Sequence, residues 1–266
     1  MKLTHKLAGT ALLAAIAVAA TAPGVTKAAD PAAPGVGEGE IEFTSKTYGT
    51  YDTSGVVPPN YTSQSTIDTD STALLDGPFL VQGMSKLVFN SQSATTGSVT
   101  SWAKPTTANA NTVGATDKVD GRANWVQFKD DRQVDDHGYE LKAVISQNFQ
   151  FNDTAKGKIR NINGAQITYG NANLVADKDN ESLKPSSTGL NKATTVNETG
   201  SELIFKNTEE TKGRGRYAVY FGDAEDATQK PEESVKLELP ANQAEEIMNG
   251  KYVAKITWTL EATPKP

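Results

Sequence analysis

Tyr252-Val253-Ala254-Lys255-Ile256-Thr257-Trp258-Thr259-Leu260-Glu261 alternates between two surfaces. Tyr252, Ala254, Ile256, Trp258 and Leu260 share one side, while Lys255, Thr257, Thr259 and Glu261 lie mainly on the other. In an extended chain successive side chains point to opposite faces, so this period of two, rich in β-branched and aromatic residues, reads as a half-buried strand. Moving towards the N-terminus, the same signature recurs. Val235 to Leu239, Tyr217 to Phe221 and Leu203 to Phe205 are strand candidates, as is Ile159 to Tyr169 with a kink at Gly164. Tyr139, Leu141, Ala143 and Ile145 form an apolar face opposite Glu140, Lys142 and Ser146. Asn124 to Phe128, Phe79 to Phe89 (split at Gly83) and the pair Ile41 and Phe43 complete the series. Ala241 to Asn249, stopped by Gly250, is the one helical segment expected. Strands spaced about ten residues apart without intervening helices predict an all-β fold, an antiparallel β-sandwich of immunoglobulin or jelly-roll type with at most one short helix. The Ser/Thr-rich stretches 44–78 and 91–122 read as long loops, which often carry binding.

The composition narrows the chemistry. Of 266 residues, 37% are hydrophobic and 22% charged, enough apolar material for a core. There is no cysteine, which removes disulfides, thiolate metal sites and thiol nucleophiles together. Of the two histidines, His5 sits in a segment expected to be removed, leaving His137. Most hydrolytic and acid–base machinery leans on His or Cys, so the sequence argues against an enzyme. A carboxylate-only glycosidase stays open, although no acidic pair stands out.

Residues 1–28 read as a secretory signal peptide: basic Lys2 and Lys6, an apolar run from Leu7 to Ala22, the breakers Pro23 and Gly24, and small residues at Thr26 and Ala28. The apolar run is shorter than the roughly 20 residues a membrane span needs. Residues 29–39 read as a polar linker and 40–266 as a single β domain. Loss of Lys2, Lys6 and Lys27 with the leader takes the net charge from −6 to −9. So acidic an exported chain is a poor nucleic-acid ligand. No second apolar span occurs, no cysteine follows the leader, and Leu239-Pro240-Ala241-Asn242 lacks the features of a sortase signal. Any surface attachment is therefore expected to be noncovalent.

The C-terminal segment, with Tyr252, Thr257-Trp258-Thr259-Leu260 and Pro264, resembles the ending of WxL-domain proteins, exported by low-GC Gram-positive bacteria. Val235-Lys-Leu-Glu-Leu-Pro240 and Gly164-Ala-Gln-Ile-Thr168 resemble two further strands of that family. The family carries an earlier Trp-x-Leu motif, and the matching stretch is Gly138-Tyr139-Glu140-Leu141, approached by Asp130-Asp131-Arg132. Here the Trp is replaced by Tyr139, a departure at a defining position. The resemblance implies retention on the wall through peptidoglycan or another wall polymer, and assembly with surface proteins encoded nearby. No cofactor or metal is expected.

Each candidate residue has two readings. Tyr139, Leu141, Tyr252, Trp258 and Leu260, the motif residues, either pack the sandwich core or offer a platform that stacks on sugar or a partner. Trp102, in a Ser/Thr-rich loop, is either an exposed ligand contact or an aromatic plug at the domain's edge, and Trp125 poses the same choice. Asp177-Lys-Asp179-Asn180-Glu181 is a solvated turn or an imperfect calcium loop. The acidic residues around His137 (Asp130, Asp131, Asp135 and Asp136) make a charged hairpin loop or a calcium site. Lys212, Arg214 and Arg216, alternating with Gly213 and Gly215, form a turn or a phosphate contact for teichoic acid. The function expected is that of a non-enzymatic surface protein held noncovalently on the Gram-positive wall. The alternative is an adhesin or carbohydrate-binding module for host or plant polymers.

Overall fold

The computed structural model describes residues 35–43, 77–93, 97–109, 118–224 and 226–263. The expected signal peptide and most of the 44–78 loop lie outside them. Among the described residues, sixteen strands run in chain order. They begin with β1 (Gly35–Phe43), β2 (Phe79–Met84), β3 (Leu87–Val88) and β4 (Val99–Trp102). β5 (Thr106–Asn109), β6 (Lys118–Arg122), β7 (Asn124–Asp130) and β8 (Tyr139–Asp153) follow. Then come β9 (Lys158–Ile162), β10 (Gln166–Tyr169), β11 (Ala172–Ala176) and β12 (Thr194–Val196). β13 (Glu202–Asn207), β14 (Gly215–Phe221), β15 (Val235–Leu239) and β16 (Gly250–Ala262) close the chain.

The six-stranded sheet has the order β13-β8-β16-β1-β3, with β9 also paired to β8. A four-stranded sheet runs β12-β10-β15-β4, another runs β11-β14-β7-β2, and β5 and β6 make a separate ladder. Pairing is antiparallel throughout except between β1 and β3. One apolar core draws on all three larger sheets. Trp258 of β16 meets Tyr169 of β10 edge-on at 5.3 Å and Phe221 of β14 at 6.2 Å, and Tyr139 of β8 meets Phe128 of β7 at 5.7 Å. The six-stranded sheet thus packs across the core on both four-stranded sheets, the face-to-face packing of a β-sandwich. A second, smaller cluster holds Ala123, Trp125, Ala218 and Tyr220.

Three expectations need correction. Residues 35–39 are not linker: they open β1, which pairs with β16 from Gly35↔Trp258 to Phe43↔Gly250. The strand read from Ile41 and Phe43 starts earlier than its side chains announce, because the buried positions ahead of buried Ile41 are Gly35, Gly37 and Gly39. A Cβ on Gly37 would sit 2.7 Å from Met84 Sδ and 3.5 Å from Trp258 Nε1, so the inward face is filled by its neighbours. Secondly, 91–122 is not all loop, since it contains β4, β5 and β6. Thirdly, the break placed at Gly83 falls after Met84, and Gly83 stays inside β2 beside a register shift between Val81 and Gly83. The expected helix is a 3-10 stretch, Ala241–Glu246, and Lys178–Leu183, Ser187–Gly189 and Pro231–Glu233 are further short 3-10 turns. At Gly164 the kink is present, with a positive φ of 73° that favours glycine.

If the glycine stripe of β1 is a packing requirement, Gly37→Val overpacks the space between Met84 and Trp258. It should cost about 1–3 kcal/mol in urea unfolding. An unchanged midpoint would show that the stripe is incidental.

Candidate functional site

The two motif segments lie on neighbouring strands at the heart of the six-stranded sheet. β8 and β16 pair antiparallel so that Leu141 stands opposite Leu260, Ala143 opposite Trp258, Tyr139 opposite Ala262 and Ile145 opposite Ile256. Directly opposed residues share a face, so both motifs point inwards together. Each aromatic faces an alanine, leaving each ring room to lean into the core. Tyr139, Leu141, Tyr252 and Leu260 are fully buried and Trp258 is 3% exposed. Tyr139 packs against Phe79, Phe128 and Phe205, and Tyr252 against Phe151. The Tyr252 hydroxyl accepts from the Met248 N–H at 2.9 Å and donates to the Glu246 carbonyl, tying the 3-10 turn to β16. A narrow cleft lined by Gly37, Met84, Trp125 and Trp258 leaves room for about one water molecule, not a sugar ring.

The intervening residues face outwards. Lys142 bridges Glu140 and Glu261, both at 2.8 Å, and Lys206 reaches Glu140 at 2.7 Å. Hydrogen bonds from Lys142 and Lys206 hold the Glu140 carboxyl below its usual range. Its stabilising contribution is full above the ordinary carboxylate pKa and fades as acid protonates it.

The segment leading into Tyr139 is clasped by a buried ionic group. Asp130, at the end of β7, is fully buried. Arg132 donates Nε to Asp130 Oδ1 at 2.9 Å and Nη2 to Oδ2 at 2.7 Å, while His137 Nδ1 lies 3.0 Å from Oδ2. The Arg132 guanidinium also sits 4.1 Å from the centre of the Phe79 ring. A buried carboxylate needs such partners. The sequence reading had these residues as a charged hairpin or a calcium site. The structure assigns Asp130 to Arg132 and His137, and uses Asp136 to accept from the Gly138 N–H at 2.8 Å.

Sequence reasoning missed Asn207. Buried at the end of β13, it donates to the carbonyls of His137 and Lys212, both at 2.8 Å, and accepts from the Glu209 N–H. It pins the approach to Tyr139 to the basic turn. Nothing in a polar residue at the end of a short strand announces this. Gly213 is part of the same knot: its φ is 99°, and a Cβ there would lie 2.3 Å from Asn207 Nδ2. In the basic turn, Lys212 donates to the Ser182 carbonyl and Arg216 pairs with Asp177, while Arg214 is exposed. The Asp177–Glu181 stretch is the start of a 3-10 turn whose Asn180 accepts from the Arg216 N–H.

Trp102 is not in a loop. It ends β4 and is 37% exposed. Trp125 is buried in the smaller cluster. Among the described residues no group of acidic and histidine side chains is arranged to hold a metal, and no helix is long and apolar enough to cross a membrane.

Residues 33–264 match the model of the WxL domain, a cell wall-binding surface domain. The chain belongs to the WxL family. No curated protein and no solved structure matches it. The match begins two residues before β1, so the glycine-striped strand belongs to the WxL domain rather than to a linker. Membership places the protein at the cell wall and cell surface. Within the matched residues, Trp258 and Leu260 of β16 and Tyr139 and Leu141 of β8 are buried, while Thr259 and Glu140 between them are partly exposed.

Two outcomes follow. Asp130→Asn removes the charge shared by Arg132 and His137 and should destabilise the domain by about 3–5 kcal/mol, read by chemical denaturation. A loss below about 1 kcal/mol would mean that the clasp is dispensable. The second concerns alkali. Burial pushes the hydroxyls of Tyr139, Tyr169 and Tyr217 above the usual phenol range, with Tyr217 and Asp130 adding to the effect on Tyr139. Unfolded tyrosines ionise near pH 10, so above it the native state holds more protons and stability falls as pH rises. The denaturation midpoint should fall steeply above about pH 10, and Tyr139→Phe should make that fall shallower. An identical slope in the variant would show that Tyr139 ionises as freely as in the unfolded chain.

Proposed function

We propose that this protein is a non-enzymatic component of the Gram-positive surface, exported by its leader and held on the wall without a covalent link. The holding contact is made by the WxL domain, to peptidoglycan or to partner surface proteins encoded nearby. The family match over 33–264 carries the reading. Three features of the chain support it. The absence of cysteine and the single histidine outside the leader leave few groups for hydrolytic chemistry. The ionic groups of the site are consumed in structural pairs, as Asp130, Arg132 and His137 demonstrate. The buried motifs build a rigid scaffold on which outer surfaces are displayed.

Their burial also fixes what the motifs can contribute. Trp258, buried against Tyr169 and Phe221, stabilises the scaffold and stacks on no ligand while the domain is folded. Wall retention should therefore depend on Trp258 through folding. Trp258→Ala is expected to cost about 3–5 kcal/mol. Purified residues 29–266 should co-sediment with Gram-positive walls and be released by denaturant alone, and binding of Trp258→Ala should disappear in step with its unfolding. Protein that stays in solution with both bare walls and walls carrying their own surface proteins would end this reading.

A further inference from the structure

The solvent face of the sheet β12-β10-β15-β4 carries a row that the WxL motifs do not explain. Register places Trp102 of β4 opposite Lys236 of β15, Lys236 opposite Thr168 of β10, and Thr168 opposite Thr195 of β12. Directly opposed residues point the same way. The four side chains therefore form one line across the sheet, perpendicular to the strands. A second line beside it holds Thr100, Glu238 and Gln166. Ser101, Leu237, Ile167 and Val196, on the reverse face, are buried, which confirms the facing. Every member of the two lines is at least partly open to solvent, and Trp102 is the most exposed of the aromatic rings described.

The chemistry of this face is specific in kind. Its one cation, Lys236, is paired with its one anion, Glu238, at 3.1 Å, so the face carries no net charge. The remaining groups are hydroxyls and an amide, and Thr168 Oγ1 and Thr195 Oγ1 stand 3.0 Å apart. An open indole beside a neutral field of donors and acceptors suits a ligand with an apolar ring face and hydroxyl or amide edges. A polyanion gains nothing here, since the whole chain is already acidic at −6. A peptide strand would seek a sheet edge, not the flat face. Strand spacing of about 4.8 Å gives the row a length of about 14 Å, that of a short oligosaccharide.

We propose that this face is a glycan-binding surface, with Trp102 stacking on one pyranose of an uncharged chain and Lys236, Thr168 and Thr195 meeting the hydroxyl or acetamido groups of those that follow. The inference rests on the wall-retention reading and names the surface and ligand class for it. It separates the two roles of aromatic residues in the chain: Trp258 builds, Trp102 binds.

The test uses the 29–266 protein with walls stripped of protein and teichoic acid, and with two soluble probes, N-acetylglucosamine tetramer and cellotetraose. Wild type should bind the stripped walls, and one or both tetramers should compete. Trp102→Ala should lower wall affinity at least about tenfold, the loss of roughly 1.4 kcal/mol, with an unchanged melting temperature. Trp102→Phe should retain part of the binding, and Thr195→Tyr, at the far end of the row, should weaken it without touching the indole. Competition by the acetylated tetramer alone points to the peptidoglycan backbone as source. Competition by both points to a general pyranose surface. If Trp102→Ala binds stripped walls as wild type does, the proposal falls while wall retention stands. If wild type binds only walls that keep their proteins, the proposal also falls, and retention proceeds through a protein partner. Failure to bind walls of either kind removes both.

Discussion

The pairing of β8 with β16 is the constraint on which the rest of the domain depends. It sets Leu141 against Leu260 and gives each motif aromatic an alanine as its opposite number. Shifting β8 by one residue would turn Tyr139 and Leu141 towards water and bury Glu140 and Lys142, and shifting β16 would do the same to Trp258 and Leu260 and bury Glu261. The outer ion pairs of Lys142 with Glu140 and Glu261 reinforce the same register from the other face. A single alignment thus satisfies apolar burial on one side and charge pairing on the other. From that ladder the sheet extends in both directions, through β13 and β9 on one flank and β1 and β3 on the other.

The clasp around Asp130 explains how the chain reaches this register. β7 belongs to one four-stranded sheet and β8 to the six-stranded sheet, so the connection must cross the core edge. Burying a carboxylate at the end of β7 is costly unless it is paired, and Arg132 and His137 supply the partners from the connection itself. Asn207 and Gly213 then hold the connection from the β13–β14 side. Tyr139 emerges from this knot with its hydroxyl on the Gly213 carbonyl at 3.3 Å. A polar tip and an apolar body suit that position. Tyrosine there combines aromatic packing with an acceptor for its hydroxyl.

Much of this was legible in the sequence, and what was not has physical causes. Strands with one apolar face declared themselves by alternation, as Tyr139 to Ile145 and Tyr252 to Leu260 did. The C-terminal half of β1 was legible from Ile41 and Phe43, but its first half stayed hidden because the buried positions there are glycines, which register as linker although they are packed. β4 was masked by Ser and Thr neighbours, although Val99 and Ser101 alternate with Thr100 and Trp102 in the burial expected of a strand. β11 alternates Ala172, Leu174 and Ala176, too weak a signal beside its small residues. The ionic clasp was visible as a cluster of charges but not as a structure, because spacing along the chain does not reveal which carboxylate is buried.

Trp102 and Trp258 make the limits of residue type as a guide plain. Both are tryptophans on strands with β-branched or hydroxyl neighbours, and both invite a stacking role. What separates them is the sheet face each occupies: β16 turns Trp258 towards two other sheets, whereas β4 turns Trp102 outwards and its neighbour Ser101 inwards. A buried indole contributes burial and shape, and it cannot meet a polymer without unfolding the domain that displays it. An indole on the outer face, 37% exposed as Trp102 is, can be met by another molecule without unfolding the domain. In this chain Tyr139, Leu141, Trp258 and Leu260 fill the interior of the sandwich, and the residues that alternate with them, Glu140, Lys142, Thr259 and Glu261, form its outer surface.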